Sequence, residues 1–164
     1  PARPVTDATI RIGRESTDEF DRCIVHYMQP HFPSIPDPLM GQRIAKDTSK
    51  DLQQLVWDDF RKGSISKDRI WNSYLENLRY VLDDVSLLLK NFSAEKVIIS
   101  ADHGNAFGEW SVYAHPNVPL DCLRIVPWYR TNAIDERTYT PENTHTEERE
   151  VDDLEERLRA LGYR

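Results

Sequence analysis

Residues Lys67 to Lys90 constrain this chain more than any other stretch. Ile70, Trp71, Tyr74, Leu78, Val81, Leu82, Val85, Leu88 and Leu89 trace one broad apolar face at helical spacing, with Ser66 placed to cap its start. A helix this long must bury that face against another layer. The turn Asn91–Glu95 and the apolar run Lys96–Ser100 follow directly, which makes an αβ step. A second apolar run, Cys23–Met28, is bounded by charge before it and Pro30 after it and reads as a buried strand. It would lie parallel to Lys96–Ser100 across the intervening helices. The expected fold class is α/β, with a mostly parallel sheet flanked by helices.

The remaining elements fit around this step. Asp7 to Thr17 has the shape of a short helix capped by Asp7, with Ile10 and Ile12 as its apolar surface and Gly13 as a weak point. Gln29 to Met40 holds Pro30, Pro33, Pro36 and Pro38, so it reads as a stiff connector that forms neither helix nor central strand. Leu52, Leu55, Val56 and Phe60 predict a helix over Lys50–Arg61, ended by Gly63. Cys122–Tyr129 is a third apolar stretch, marked by Pro127 as a sheet edge or strand end. Thr138–Glu150 is polar and reads as a surface loop. Val151, Leu154, Leu158 and Leu161 predict a last helix with Gly162 as its stop, and the acidic run around Glu147–Glu156 is its solvated face.

A length of 164 residues suits a single domain, and 39% hydrophobic residues can supply its core. The net charge of −7 argues against a nucleic-acid partner, because such binding needs clustered Lys and Arg against phosphates. No run approaches a membrane span, and Pro1-Ala2-Arg3-Pro4 lacks a charged-then-apolar signal pattern, so a cytoplasmic chain is expected. Cys23 and Cys122 are isolated in predicted strands and read as core packing.

The chemistry concentrates at the mouth of the strand ending at Ser100. Ser100-Ala101-Asp102-His103-Gly104-Asn105 sets a carboxylate beside an imidazole, with Gly104 allowing a sharp turn, and these side chains are common ligands of a divalent ion. His115 follows twelve residues after His103, and His26 and His31 stand upstream. Ligands gather at the carboxyl ends of strands in open α/β sheets, which would put His26, His31, Asp102 and His103 on one rim. Without that setting, an Asp after a strand is a turn cap and its His neighbour a surface residue.

Two segments carry a family resemblance. His26-Tyr27-Met28-Gln29-Pro30-His31-Phe32-Pro33 resembles the H-x-x-x-P-H-x-P loop of sulfatases, and Ser100 to Glu109 resembles their S-D-H-G-x-x-x-G-E segment. A long helix lies between them, Leu123-Arg124-Ile125-Val126-Pro127-Trp128 is similar to the family's R-V-P strand, and Leu158 to Tyr163 is similar to a common sulfatase tail. Together the matches run from about residue 5 to residue 163 and resemble a sulfatase-like member of the alkaline phosphatase superfamily.

The resemblance implies a partial alkaline-phosphatase-like sandwich and a metal-dependent hydrolase of sulfate or phosphate esters, on a small-molecule or glycan substrate. Asp102 and His103 match the metal-holding positions, and the ion would be Zn²⁺, Mn²⁺ or Ca²⁺. His31 matches the histidine facing substrate or leaving group, and His115 the Lys or His turned toward the sulfate. His26 either lines the site or is a strand histidine satisfied by backbone. Trp110 reads as packing or rim, with substrate contact as the alternative.

The family's nucleophile loop and first acidic ligands precede the P-H-x-P loop, and only 25 residues precede His26. The expectation is therefore a C-terminal portion of the catalytic domain, incomplete as it stands. Its partner would be the missing N-terminal half or a second copy of itself. The competing expectation is a non-catalytic α/β module that binds a metal or an anion.

Overall fold

The computed structural model describes residues 1–16, 21–37 and 52–142. The first helix, α1, spans Arg3–Glu15, four residues earlier than the spacing suggested. Pro4 occupies its first turn, where its missing N–H is no loss. Asp7 is not a cap. It is buried with Thr6, Thr9 and Ile10, and its Oδ1 accepts a 2.8 Å hydrogen bond from the Tyr139 hydroxyl. Gly13 is tolerated inside α1 because the Phe92 ring lies where a Cβ would be.

The run Cys23–Met28 forms no strand. Cys23 is exposed and Ile24 is 93% exposed, while Tyr27 ties the segment down through a 2.9 Å hydrogen bond with the Thr6 hydroxyl. An apolar run becomes a strand only where another strand offers a ladder, and among the described residues none lies beside it. The proline connector behaves as expected through residue 37, with neither helix nor strand and cis peptide bonds at Gln29–Pro30 and Phe32–Pro33.

Helices α2, Leu52–Arg61, and α3, Lys67–Leu89, fall close to their expected bounds. Gly63 ends α2 in the left-handed region, at φ 74°, and the Ser66 side chain caps α3 by accepting from the Arg69 amide. The most buried stripe of α3 differs from the apolar face. It runs Ile70, Ser73, Asn77, Val81, Asp84, and Trp71 and Leu82 stand partly in solvent. Two of the buried polar side chains serve neighbours: Asp84 accepts from the Arg3 guanidinium at 2.5 Å, and Asn77 holds the 31–35 loop, where the Ser73 backbone carbonyl also accepts from the Ser34 hydroxyl.

Strand β1, Ala94–Ser100, pairs with β4, Trp128–Ala133, and the pairing is antiparallel, with Val97 opposite Thr131 and Ser100 opposite Trp128. A second two-stranded antiparallel sheet joins β2, Ala106–Phe107, to β3, Tyr113–Ala114. The fold is mixed helix and sheet, and the expected mostly parallel sheet is not present among the described residues. The chain between β3 and β4 also departs from expectation: Asp121–Arg124 is a short helix, α4, and the strand starts only after Pro127. A proline donates nothing to a ladder, so pairing can begin at Trp128 and not before. The helix expected over Val151–Leu161 and the loop beyond Glu142 lie outside the described residues.

The core is aromatic. Phe32, Val56, Trp57, Ile70 and Phe107 form its buried centre, with Phe60, Ile65, Tyr74 and Tyr113 packed around them. Phe107 meets Trp57, Trp71 and Tyr74 edge to face at centroid distances of 5.2, 5.0 and 5.3 Å, a geometry that adds about 0.5–1.5 kcal/mol per pair beyond burial. The β1–β4 sheet is less covered, with Ile98, Trp128 and Tyr129 exposed and Ile125, just before β4, exposed as well. No helix among the described residues is long and apolar enough to cross a membrane.

Candidate functional site

Three segments bring imidazoles together over the aromatic core. His31 stands in the proline loop, directly before Phe32, which is buried against Trp57 and Tyr74. Asn77 of α3 holds the same loop from below: its Nδ2 donates to the His31 carbonyl at 3.0 Å, and its Oδ1 accepts from the Ile35 amide at 3.1 Å. The second segment leaves β1 at Ser100 and carries Asp102 and His103. The third is the β2–β3 hairpin, where Ala106 faces Ala114, so that His115 returns beside the chain that leaves His103.

The geometry is tight between the rings. His31 Nε2 and His115 Nε2 are 3.3 Å apart with the planes at 52°, and His103 lies against His115 with centroids 4.2 Å apart at 30°. His31 Nδ1 donates to the Phe32 carbonyl at 3.1 Å, and His103 Nδ1 donates to the Gly104 carbonyl at 2.9 Å. Both bonds run to a carbonyl, which can only accept, so each ring carries a proton on Nδ1, and Nε2 is an acceptor when the ring is neutral. Burial, with His103 and His31 close by, pushes the His115 ring below the usual histidine pKa.

Asp102 is largely exposed. Its Oδ1 accepts from the His103 amide at 3.0 Å, and its Oδ2 stands 3.8 Å from His103 Nε2. Gly104 earns its place by close approach: the Cys122 carbonyl occupies the space a Cβ would need, and the Gly104 amide donates to the Leu123 carbonyl at 2.9 Å. The short helix α4 thus fixes the turn after His103. Next to it, Asn105 Nδ2 donates to the Tyr74 hydroxyl at 3.2 Å, while Asn105 Oδ1 is buried with no partner among the described residues. Burial raises the Tyr74 pKa, the Asn105 bond opposes that rise, and the Asp102 charge adds to it.

His26 is exposed on the irregular 21–30 segment and is not held by a strand. Trp110 is 88% exposed on the tip between β2 and β3, where Gly108, Trp110 and Ser111 all adopt positive φ, so it is not core packing. Glu109 closes that tip by accepting from the Phe107 amide and lies 3.7 Å from Lys67 Nζ. Sequence reading missed Asn77, Asn105 and Tyr74. Asn77 carried a signal, as an amide interrupting the most regular apolar stripe of the chain.

For metal binding, Asp102 Oδ2, His103 Nε2 and Asn105 Oδ1 are donors of the right kind for a divalent ion. No group of three His, Cys, Asp or Glu side chains closes on one point among the described residues, so any such centre draws further ligands from water, amide oxygen or substrate. Compared with known proteins, the chain matches no family model, no curated protein and no solved structure.

Proposed function

We propose that this chain carries one wall of a metal-dependent site for hydrolysis of sulfate or phosphate esters, of sulfatase type, acting on a small-molecule or glycan ester. One observation carries the reading. His31, His103 and His115, nominated from motifs far apart in the sequence, meet ring to ring. Asp102 and His103 would hold the ion, Zn²⁺, Mn²⁺ or Ca²⁺, with Asn105 Oδ1 as a neighbouring oxygen. The ion when bound supplies positive charge against the ester oxygens.

His31 and His115, packed beside His103, would face the anionic ester. With Nδ1–H committed to the Phe32 carbonyl, His31 presents Nε2 to the reacting group, and when protonated there it gives that proton to the departing alkoxide oxygen. Trp110, at the solvent-facing tip, is placed to meet the part of the substrate that does not react. The attacking side chain belongs outside the described residues. The exposed Ile98, Ile125, Trp128 and Tyr129 support a covering partner, either further chain carrying that nucleophile or a second copy.

The test is to incubate the purified chain with aryl sulfate and bis-aryl phosphate under Zn²⁺, Mn²⁺ and Ca²⁺, alongside Asp102→Ala and His103→Ala. Turnover or stoichiometric capture of the ester should depend on metal and fall in both variants. Ester binding and turnover indifferent to both substitutions would sink the reading.

A further inference from the structure

Cross-strand partners share a side of a sheet, so the pairing of β1 with β4 sorts their residues onto two surfaces. Ile98 stands with Arg130 and Ser100 with Trp128, while Val97 and Ile99 turn the other way with Thr131 and Tyr129. Val97, Ile99 and Thr131 are half-buried, whereas Ile98, Trp128 and Arg130 are exposed, as is Lys96 two residues before Ile98. A two-stranded sheet is marginal in water without a layer against its apolar side. The open surface is a strip of Ile98 and Trp128 with two cations beside it, on a chain whose net charge is −7.

Charge decides what fits this strip. A second copy docked on it across a two-fold axis meets the same patch, so Lys96 and Arg130 would face cations. Like charges set opposite one another destabilise a contact. A complementary occupant carries an apolar stripe bordered by carboxylates, and the chain's own sequence holds one. Val151, Leu154, Leu158 and Leu161 recur at helical spacing, Glu150 and Glu155 border that stripe, and residues 147–156 hold seven acids against one Arg. This segment lies outside the described residues. Eight residues, 143–150, separate it from Glu142, the last described residue, and they reach at most roughly 25–30 Å, about the width of a small domain.

We infer that residues 151–161 dock as an amphipathic helix on the Ile98–Trp128 surface of the β1–β4 sheet, with Glu150 and Glu155 toward Lys96 and Arg130. Burial of Ile98 and Trp128 under Leu154 and Leu158 supplies the attraction, and the exposed ion pairs set orientation more than strength. The dock takes Ile98 and Trp128 and leaves Ile125 and Tyr129 to the covering partner of the ester-hydrolase reading. It stands whether or not that reading does.

The experiment joins carboxyls to amines with a zero-length carbodiimide in an equal mixture of ¹⁴N- and ¹⁵N-labelled chain, all 164 residues long, and identifies the linked peptides by mass spectrometry. Expected are links from Lys96 to Glu150 or Glu155 within single-isotope pairs, which needs no variant. In ¹H–¹⁵N spectra the Trp128 indole signal should shift in the double variant Leu154→Asp, Leu158→Asp. Amide exchange across 151–161 should speed up at least about tenfold in Trp128→Gln. Lys96 links found only in mixed-isotope pairs would give the surface to a second copy and overturn the dock. The dock would equally be overturned by no link from Lys96 to residues 147–156, or by a Trp128 signal indifferent to the two Asp substitutions.

Discussion

Asn77 of α3 donates its side-chain N–H to the carbonyl of His31 at 3.0 Å, from a position with no solvent exposure. The same amide accepts from Ile35 N–H, so one helix residue satisfies both sides of the loop that presents the imidazole. This bond links the longest helix to the candidate site.

Asn77→Ala removes both hydrogen bonds that a fully buried side chain makes to the loop, each worth about 0.5–1.5 kcal/mol, and leaves a cavity in its place. Urea denaturation should report a loss of about 2–4 kcal/mol. A change under 0.5 kcal/mol would show that the loop is held by other contacts.

Gly104→Ala places a methyl group against the Cys122 carbonyl, which belongs to backbone and cannot rotate away. Forcing an atom into such a contact costs about 1–3 kcal/mol. The melting temperature should drop accordingly, and the His103–His115 contact should loosen, seen as altered imidazole shifts in NMR.

The lowered pKa of His115 gives stability a sign against pH. Below the unfolded histidine pKa the unfolded chain takes up a proton that the folded ring resists, so stability falls as pH drops from about 6.5 toward the folded value. Burial is the main cause, with His103 and His31 adding repulsion. Denaturation midpoints between pH 7.5 and 5 should therefore decline less in His115→Gln than in the unmodified chain. Equal slopes would remove His115 from the account.

Trp110 is 88% exposed, so Trp110→Ala should change stability by less than about 0.5 kcal/mol. A substrate contact would show instead as a raised KM for aryl or glycosyl esters with kcat little altered. Destabilisation by several kcal/mol would instead mean that the ring is packed.

Local rules read much of the fold correctly. The stripe from Ile70 to Leu89, Ser66 as cap and Gly63 as stop each depend on neighbours three or four residues away, and α2 and α3 formed close to where those signals put them. The strands were harder. Val97-Ile98-Ile99 and Cys23-Ile24-Val25 look alike as sequence, yet among the described residues only the first has a partner strand, β4, and Cys23 and Ile24 lie open to water. Pairing is a property of two segments, and periodicity describes one.

The candidate site divides the same way. Sequence alone nominated the candidates for chemistry, His26, His31, Asp102, His103 and His115, because ligand and proton-transfer ability belongs to the side chain and its immediate neighbours. It could not determine that His26 would be left in solvent, or that Asn77 would hold the loop. Nor could it set two ring nitrogens 3.3 Å apart. That spacing is fixed by Phe32 and Phe107 sharing one aromatic core and by the β2–β3 hairpin folding His115 back toward His103. Close packing of residues far apart in the chain sets such distances, and only the tertiary structure contains them.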